Sequence, residues 1–182
     1  MELRKRLLEI LKEKAVFRFK EAIKLASGGT SNYYIDCRQV TLDPEGCYLV
    51  GELFWELADS LGATAVVGLT LGADPLVVST GLAAYRRKKP LKMAIVRKEA
   101  KTHGLQRRIE GPPLSETERV LVVEDVATTG ASALMAVDAL EAEFKCKIIA
   151  ISAIVNREEG AKEAIEKRGI PFIPFFTKEE LL

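Results

Sequence analysis

The sequence predicts an α/β fold with a central, mostly parallel sheet flanked by helices, formed as a single domain over residues 1–182. Three observations carry that expectation. Short apolar runs bounded by turn residues alternate with stretches of helical periodicity, as β-strands joined by crossover helices do. One run, Val120-Leu-Val-Val123, is apolar at every position, as a strand covered on both faces must be. Finally, 182 residues, 48% of them apolar, are enough to bury one substantial core.

Leu3, Leu7, Leu8 and Leu11 recur at helical spacing, so residues 2–14 are expected as an amphipathic helix with one face to cover. An irregular stretch containing Ser27-Gly-Gly-Thr-Ser31 follows, and Tyr33-Tyr-Ile-Asp-Cys37 then has strand character. Asp43 before Pro44 marks a helix start, the helical pattern runs to about Ser60, and Gly62 closes it. From there the chain alternates through strand Ala65–Leu69, helix Ala73–Arg87, strand Leu91–Val96, strand Val120–Val123, helix Ala131–Phe144 and strand Ile148–Val155. Helix Glu158–Lys167 and a short strand Phe172–Phe176 finish it. Right-handed crossovers would place helices on both faces of the sheet. One interval breaks the rhythm: residues 97–118 are rich in Lys, Arg, Gly and Pro, lack apolar periodicity, and are expected as a long mobile loop.

Charge narrows the partners. With 27 Lys and Arg against 26 Asp and Glu, the formal charge is +1, which argues against a nucleic-acid footprint and for a small-molecule role. Cys37, Cys47 and Cys146 lack metal-ligand spacing and read as reduced packing residues of an intracellular protein. No signal-peptide core and no bilayer-length apolar run are present, so the expectation is a cytoplasmic protein with no membrane partner.

The chemistry concentrates in Arg119-Val-Leu-Val-Val-Glu-Asp-Val-Ala-Thr-Thr-Gly-Ala-Ser132. The strand delivers Glu124 and Asp125 to its carboxyl end, where ligands of open α/β sheets bind. Beyond them Ala127, Thr128, Thr129, Gly130, Ala131 and Ser132 offer N–H groups, hydroxyls and the positive end of a helix, which together suit a phosphate. The carboxylates are then free to meet sugar hydroxyls. An ordinary strand-turn-helix with solvated acids is the competing reading, but two acids at a buried strand end with no base in the turn speak against it.

Arg97-Lys-Glu-Ala-Lys-Thr-His-Gly104 heads the long loop and holds the chain's single histidine. Such a run fits a solvated surface, and it also fits a mobile source of positive charge over an anionic ligand. Gly68-Leu-Thr-Leu-Gly72 reads either as a plain βα turn or as a second anion nest. Arg157 at a strand end fits a surface ion pair or a bidentate clamp on a carboxylate. Tyr33 and Tyr34 fit core packing or stacking on a base.

The apolar strand, acidic pair and Thr-Gly-containing turn resemble the phosphoribosyl-pyrophosphate signature of the type I phosphoribosyltransferases. Arg97-Lys-Glu-x-Lys-x-His-Gly104 resembles the catalytic loop of the orotate phosphoribosyltransferases. So do Ser27-Gly-x-x-Ser-x-Tyr-Tyr-x-Asp36 and Asn156-Arg-x-x-Gly160, and with Gly68-Leu-Thr-Leu-Gly-Ala-Asp-Pro75 the likeness spans nearly the whole chain. It implies the type I fold, with a small hood from residues 1–40 over the base and a flexible catalytic loop over 97–118. The implied reaction transfers ribose 5-phosphate from phosphoribosyl pyrophosphate to orotate, giving orotidine 5′-monophosphate and pyrophosphate in pyrimidine (UMP) biosynthesis.

The resemblance also implies Mg²⁺ held mainly by substrate and water, with no dedicated protein metal site. Arg97, Lys101 and His103 would contact the diphosphate, and Lys98 would reach into the partner's site of a homodimer. Glu124 and Asp125 would hold the ribose hydroxyls, Val126 to Ser132 the 5′-phosphate, and Thr128 and Arg157 the orotate. Lys101, His103, Glu124 and Asp125 would be catalytic. Two positions depart from the family: Ala26 replaces a common Lys, with Lys24 two residues earlier, and Asn156 replaces an Asp. The rivals are a phosphoribosyltransferase for purines or uracil and a non-catalytic regulator that binds nucleic acid. The hood segment, Arg157 and the loop argue against the first, and the neutral charge with no added domain argues against the second.

Overall fold

The structure is a computed structural model that describes residues 2–24, 30–99 and 108–182. Helix α1 (Glu2–Ile10) runs into a π-helical turn at Leu11–Ala15, then strand β1 (Val16–Lys24) and strand β2 (Thr30–Ile35), a short α2 (Arg38–Thr41) and the long α3 (Pro44–Ser60). Strand β3 (Ala65–Leu69), α4 (Asp74–Arg86), β4 (Lys92–Val96) and β5 (Ile109–Glu110) follow. The chain ends with β6 (Arg119–Ala127), α5 (Ala131–Glu143), β7 (Lys147–Asn156), α6 (Ala161–Glu166), β8 (Phe176–Thr177) and α7 (Lys178–Leu181). The main sheet has the order β5-β4-β3-β6-β7-β8 and is parallel except for β5, which runs antiparallel to β4. Among the described residues, no helix is long and apolar enough to cross a membrane.

The alternation along β6 explains the two layers. Val120 and Val122 pack with Val137, Leu140 and Ile165 of α5 and α6, while Leu121 and Val123 pack with Leu7, Phe54 and Leu76 of α1, α3 and α4. Each of these strand residues is at most 1% exposed, so β6 is the middle of the core and its carboxyl end is held firmly. The start of α3 is also fixed locally: the Asp43 carboxylate accepts the Glu45 and Gly46 N–H groups at 3.1 and 3.2 Å, with Pro44 in the first turn.

Several expectations are corrected. The strand Val16–Lys24 has no counterpart in the sequence reading; it pairs antiparallel with β2, and Phe17 and Phe19 stay exposed, so backbone pairing rather than burial selects it and periodicity is faint. β6 continues four residues past Val123, because β7 pairs alongside it as far as Ala127 and Asn156. Residues 97–118 are not one structureless loop: Ile109 and Glu110 pair with Val96 and Ile95, and Glu118 closes a turn by donating its N–H to the Ser115 carbonyl. The last predicted strand shrinks to Phe176–Thr177, with Phe172 bridging singly to Ile151. Helix α6 begins only at Ala161, because Glu158 and Gly160 take positive φ values of 58° and 100°.

Candidate active site

A cavity of about 370 Å³ opens at the carboxyl ends of β3, β6 and β7, where the parallel strands end and loops begin. Its lining comes from Leu69–Gly72 after β3, from Val123–Val126, Thr128, Thr129, Ser132 and Ala133 along β6 and α5, and from Arg157 after β7. Tyr34, Ile35, Asp36 and Arg38 close it from the β1–β2 hairpin and the segment after it, and Lys98 stands at its rim.

Glu124 and Asp125 are neighbours on one strand, so their side chains leave on opposite faces. Glu124 turns toward α5, where the Ser132 hydroxyl and the Ala133 N–H act on it. Asp125 turns toward the β3 loop: Gly72 lies so close that a Cβ there would stand 2.5 Å from its Oδ1. A side chain there would push the Asp125 carboxylate aside, and this is a physical reason for Gly72. The Val126 N–H donates to Asp125 Oδ1 at 2.9 Å. Glu124 Oε2 is fully enclosed without a partner. Burial pushes the Glu124 carboxyl up to about 8, with the Asp125 charge adding to it and Ser132 and Ala133 opposing it. Burial also raises Asp125, opposed by the Val126 N–H and the Arg38 charge. Ionising both carboxyls side by side in this partly enclosed cavity is costly, and a partially cationic ligand would favour their charged forms.

The turn after β6 is tighter than the sequence suggests. Ala127 is the last strand residue, is 1% exposed, and its carbonyl accepts the Arg157 N–H at 2.8 Å, so it does not line the cavity. Gly130 sits at φ 78° before α5, a left-handed conformation that glycine adopts without strain. Gly130 gives no capping side chain, and of the first N–H groups of α5 that of Ala131 donates to the Thr129 hydroxyl at 3.4 Å. Thr128, Thr129 and Ser132 reach the cavity; Gly130 and Ala131 shape the turn without lining it.

Arg157 is 7% exposed. One fork nitrogen donates to Glu159 at 2.9 Å, its guanidinium lies 5.3 Å from the centre of the Tyr33 ring, and its Nε has no partner. Asn156, the departure noted in the sequence, keeps the turn together by accepting the Glu158 N–H at 2.9 Å. Arg97 falls outside this cavity and lines an adjoining one with Lys98, Glu99 and Glu110, where it pairs with Glu110 at 3.5 Å. Lys101 and His103, with the Ser27-Gly-Gly part of the hood motif and Ala26, lie outside the described residues.

Two contributors carried no assigned role in the sequence reading. Arg38 lines the cavity and donates from Nε to Asp36 Oδ1 at 2.7 Å, while its own N–H donates to the same oxygen at 3.1 Å. Although burial pushes Asp36 up, Arg38 and Gln39 hold it below the usual carboxylate range. The spacing Asp36-x-Arg38 directly after a strand was the available signal. Glu159 is the other, two residues beyond Arg157.

A family model for the phosphoribosyl transferase domain matches residues 39–180. The orotate phosphoribosyltransferase of Aquifex aeolicus is 45% identical over 180 residues, covering 98% of this chain and 97% of that protein. The crystal structure of Mycobacterium tuberculosis orotate phosphoribosyltransferase in complex with Fe(III) dicitrate superposes with a TM-score of 0.85 at 37% identity, covering 98% of each chain. The same enzyme in complex with 5-phospho-α-D-ribosyl 1-diphosphate gives a TM-score of 0.81 at 35% identity, again over 98% of each chain. Matched along nearly its whole length, the chain belongs to the phosphoribosyl transferase family and, within it, to the orotate phosphoribosyltransferases.

Proposed function

We propose that the chain transfers the ribose 5-phosphate group of phosphoribosyl pyrophosphate to orotate, giving orotidine 5′-monophosphate and pyrophosphate in pyrimidine (UMP) biosynthesis. One observation carries the reading: a single cavity gathers a turn rich in hydroxyls and N–H groups, two buried carboxylates without a cation between them, and a nearly enclosed arginine with an open donor. Those are the complements of a phosphate, a ribose that turns cationic, and a base that bears a carboxylate. The names of the relatives, one of them with the phosphoribosyl donor bound, support it.

In this reading the segment Val126 to Ser132 receives the 5′-phosphate, Glu124 and Asp125 hold the ribose hydroxyls, and Thr128 and Arg157 orient orotate. Orotate reacts as the anion deprotonated at its ring nitrogen, which forms its bond to the anomeric carbon as the bond to the diphosphate oxygen breaks, and that electron pair leaves with the diphosphate. Positive charge developing on the ribose is stabilised by Asp125 and Glu124, more strongly in a partly enclosed cavity than in open water. Arg97, Lys101 and His103 neutralise the leaving diphosphate, and His103 delivers a proton to it. These residues belong to the proposed closing loop, 97–118, within a single catalytic unit whose residues up to 40 cover the base.

Hard carboxylate oxygens, one of them unpartnered, suit the neighbourhood of Mg²⁺. The ion is read as held mainly by substrate oxygens and water beside the pair. When bound it supplies neutralisation of the diphosphate charge.

The chain is further read as a cytoplasmic homodimer in which Lys98 reaches the partner's site. Val78, Leu82 and Tyr85 lie on one face of α4, 50%, 57% and 80% exposed; exposed Leu71 shares a groove with Val78, and exposed Tyr48 lies under Arg86 of the same helix. Such a patch suits a second copy. Two experiments test these readings. Incubation with phosphoribosyl pyrophosphate and Mg²⁺ should release pyrophosphate with orotate and not with adenine, hypoxanthine or uracil; release with one of the others alone would overturn the substrate. Sedimentation should find a dimer that Leu82→Glu with Tyr85→Glu converts to monomer.

A further inference from the structure

Arg157 is the cavity's most enclosed cation, and its orientation is set by two groups from different parts of the chain. Glu159, on the same turn, takes one fork nitrogen at 2.9 Å. The Tyr33 ring lies under the guanidinium at 5.3 Å from its centre. Tyr33 belongs to β2, in the two-stranded sheet that shares no strand pairing with the main sheet, and it packs against the main core while pairing with Arg18 across the hairpin. The hairpin therefore touches the base-facing arginine through one aromatic face.

We propose that Tyr33 is a positioning residue that sets base specificity: its ring holds the Arg157 guanidinium in the plane from which it grips the carboxylate of the incoming base. The ring face is the negative end of an aromatic quadrupole, so a cation settles over it, and that contact leaves the guanidinium N–H groups not given to Glu159 available to donate. A bidentate grip on a carboxylate requires those edge donors to be aimed in one plane. With Nε unpartnered and the group almost wholly enclosed, Arg157 has a donor to give and little room to search for the geometry. A base without a carboxylate gains nothing from an arginine so aimed. The hairpin would then select the substrate through the arginine it orients.

This inference rests on orotate being the base, and the test separates the two. Kinetics of the full-length chain would be measured with orotate and phosphoribosyl pyrophosphate varied in turn, for wild type, Tyr33→Leu and Tyr33→Phe, with a melting temperature for each. Tyr33→Leu is expected to raise KM for orotate by roughly three- to thirtyfold and to leave KM for phosphoribosyl pyrophosphate unchanged. Tyr33→Phe, which keeps the ring face, is expected to return KM for orotate to the wild-type range. In an Arg157→Lys background the Leu substitution should have a smaller effect, because the planar fork is gone. An unchanged KM for orotate in Tyr33→Leu, or a parallel rise for both substrates, would overturn the inference while leaving the function intact. Absence of orotate turnover by wild type would overturn both.

Discussion

The two ends of strand β6 carry carboxylates with opposite fates. Glu118, just before the strand, accepts the Thr64 hydroxyl at 2.5 Å and the Lys92 ammonium at 2.6 Å, with Ser115 at 3.5 Å. Lys92 and Thr64 hold it below the usual carboxylate range. Glu124, at the other end, has an enclosed oxygen with no partner and is pushed up to about 8, chiefly by burial. Both lie against the same core and within one turn or strand end of it. The difference teaches that the amino-terminal edge of the sheet is finished as structure, whereas the carboxyl edge is left incomplete until something binds.

That contrast can be broken by substitution, most forcefully at the incomplete end. Asp125→Asn and Glu124→Gln should each lower kcat by about a hundredfold or more while the circular dichroism spectrum stays native, since in the proposed reaction they remove charge beneath the ribose. Retained turnover in both would return the acidic pair to the status of structure. Glu118→Gln should do the reverse: activity holds, and urea denaturation shows a loss of roughly 1–3 kcal/mol. Its pH dependence has a definite sign. A depressed carboxyl contributes stability above its unfolded value of 4.5 and loses it as pH falls through the lower folded value, so the gap between wild type and Glu118→Gln should close in acid.

Glu124→Gln should differ from Glu118→Gln in stability as well as in activity. A carboxyl raised to about 8 favours the fold below pH 4.5 and loses that contribution as pH rises toward 8. The variant should therefore melt above wild type at pH 9, by roughly 1–2 kcal/mol, and match it at pH 4. A lower melting point for Glu124→Gln at pH 9 would mean that its carboxylate is satisfied after all. The smallest expected change is at Thr64→Val, which removes one donor from Glu118: about 1 kcal/mol of stability, with kcat unaffected.

Much of this arrangement is legible in the residues themselves. The run Val120–Val123 forces a doubly covered strand, Asp43-Pro44 starts a helix, and the acidic pair followed by a turn and a helix start marks the ligand edge. Other features are not written in local pattern. β1 is selected by its pairing with β2, and its exposed Phe17 and Phe19 give no periodic signal. Arg97 has the composition of a site residue, yet it faces an adjoining cavity and pairs with Glu110, because β5 folds back against β4. Arg38 gave only the faint cue of Asp36-x-Arg38, because its importance depends on which strand ends lie opposite it.

The sequence by itself determined the layered α/β plan, the strand that carries the acids and the chemistry available at its end, because burial periodicity and residue type act over a few neighbouring positions. Only the tertiary structure decided that Glu124 meets α5 while Asp125 meets the loop after β3, that Gly72 leaves room for the Asp125 carboxylate, and that Tyr33 lies beneath Arg157. Those facts depend on distances between segments far apart in the chain. Such distances are set by how whole strands and helices pack, and no local run of residues encodes them.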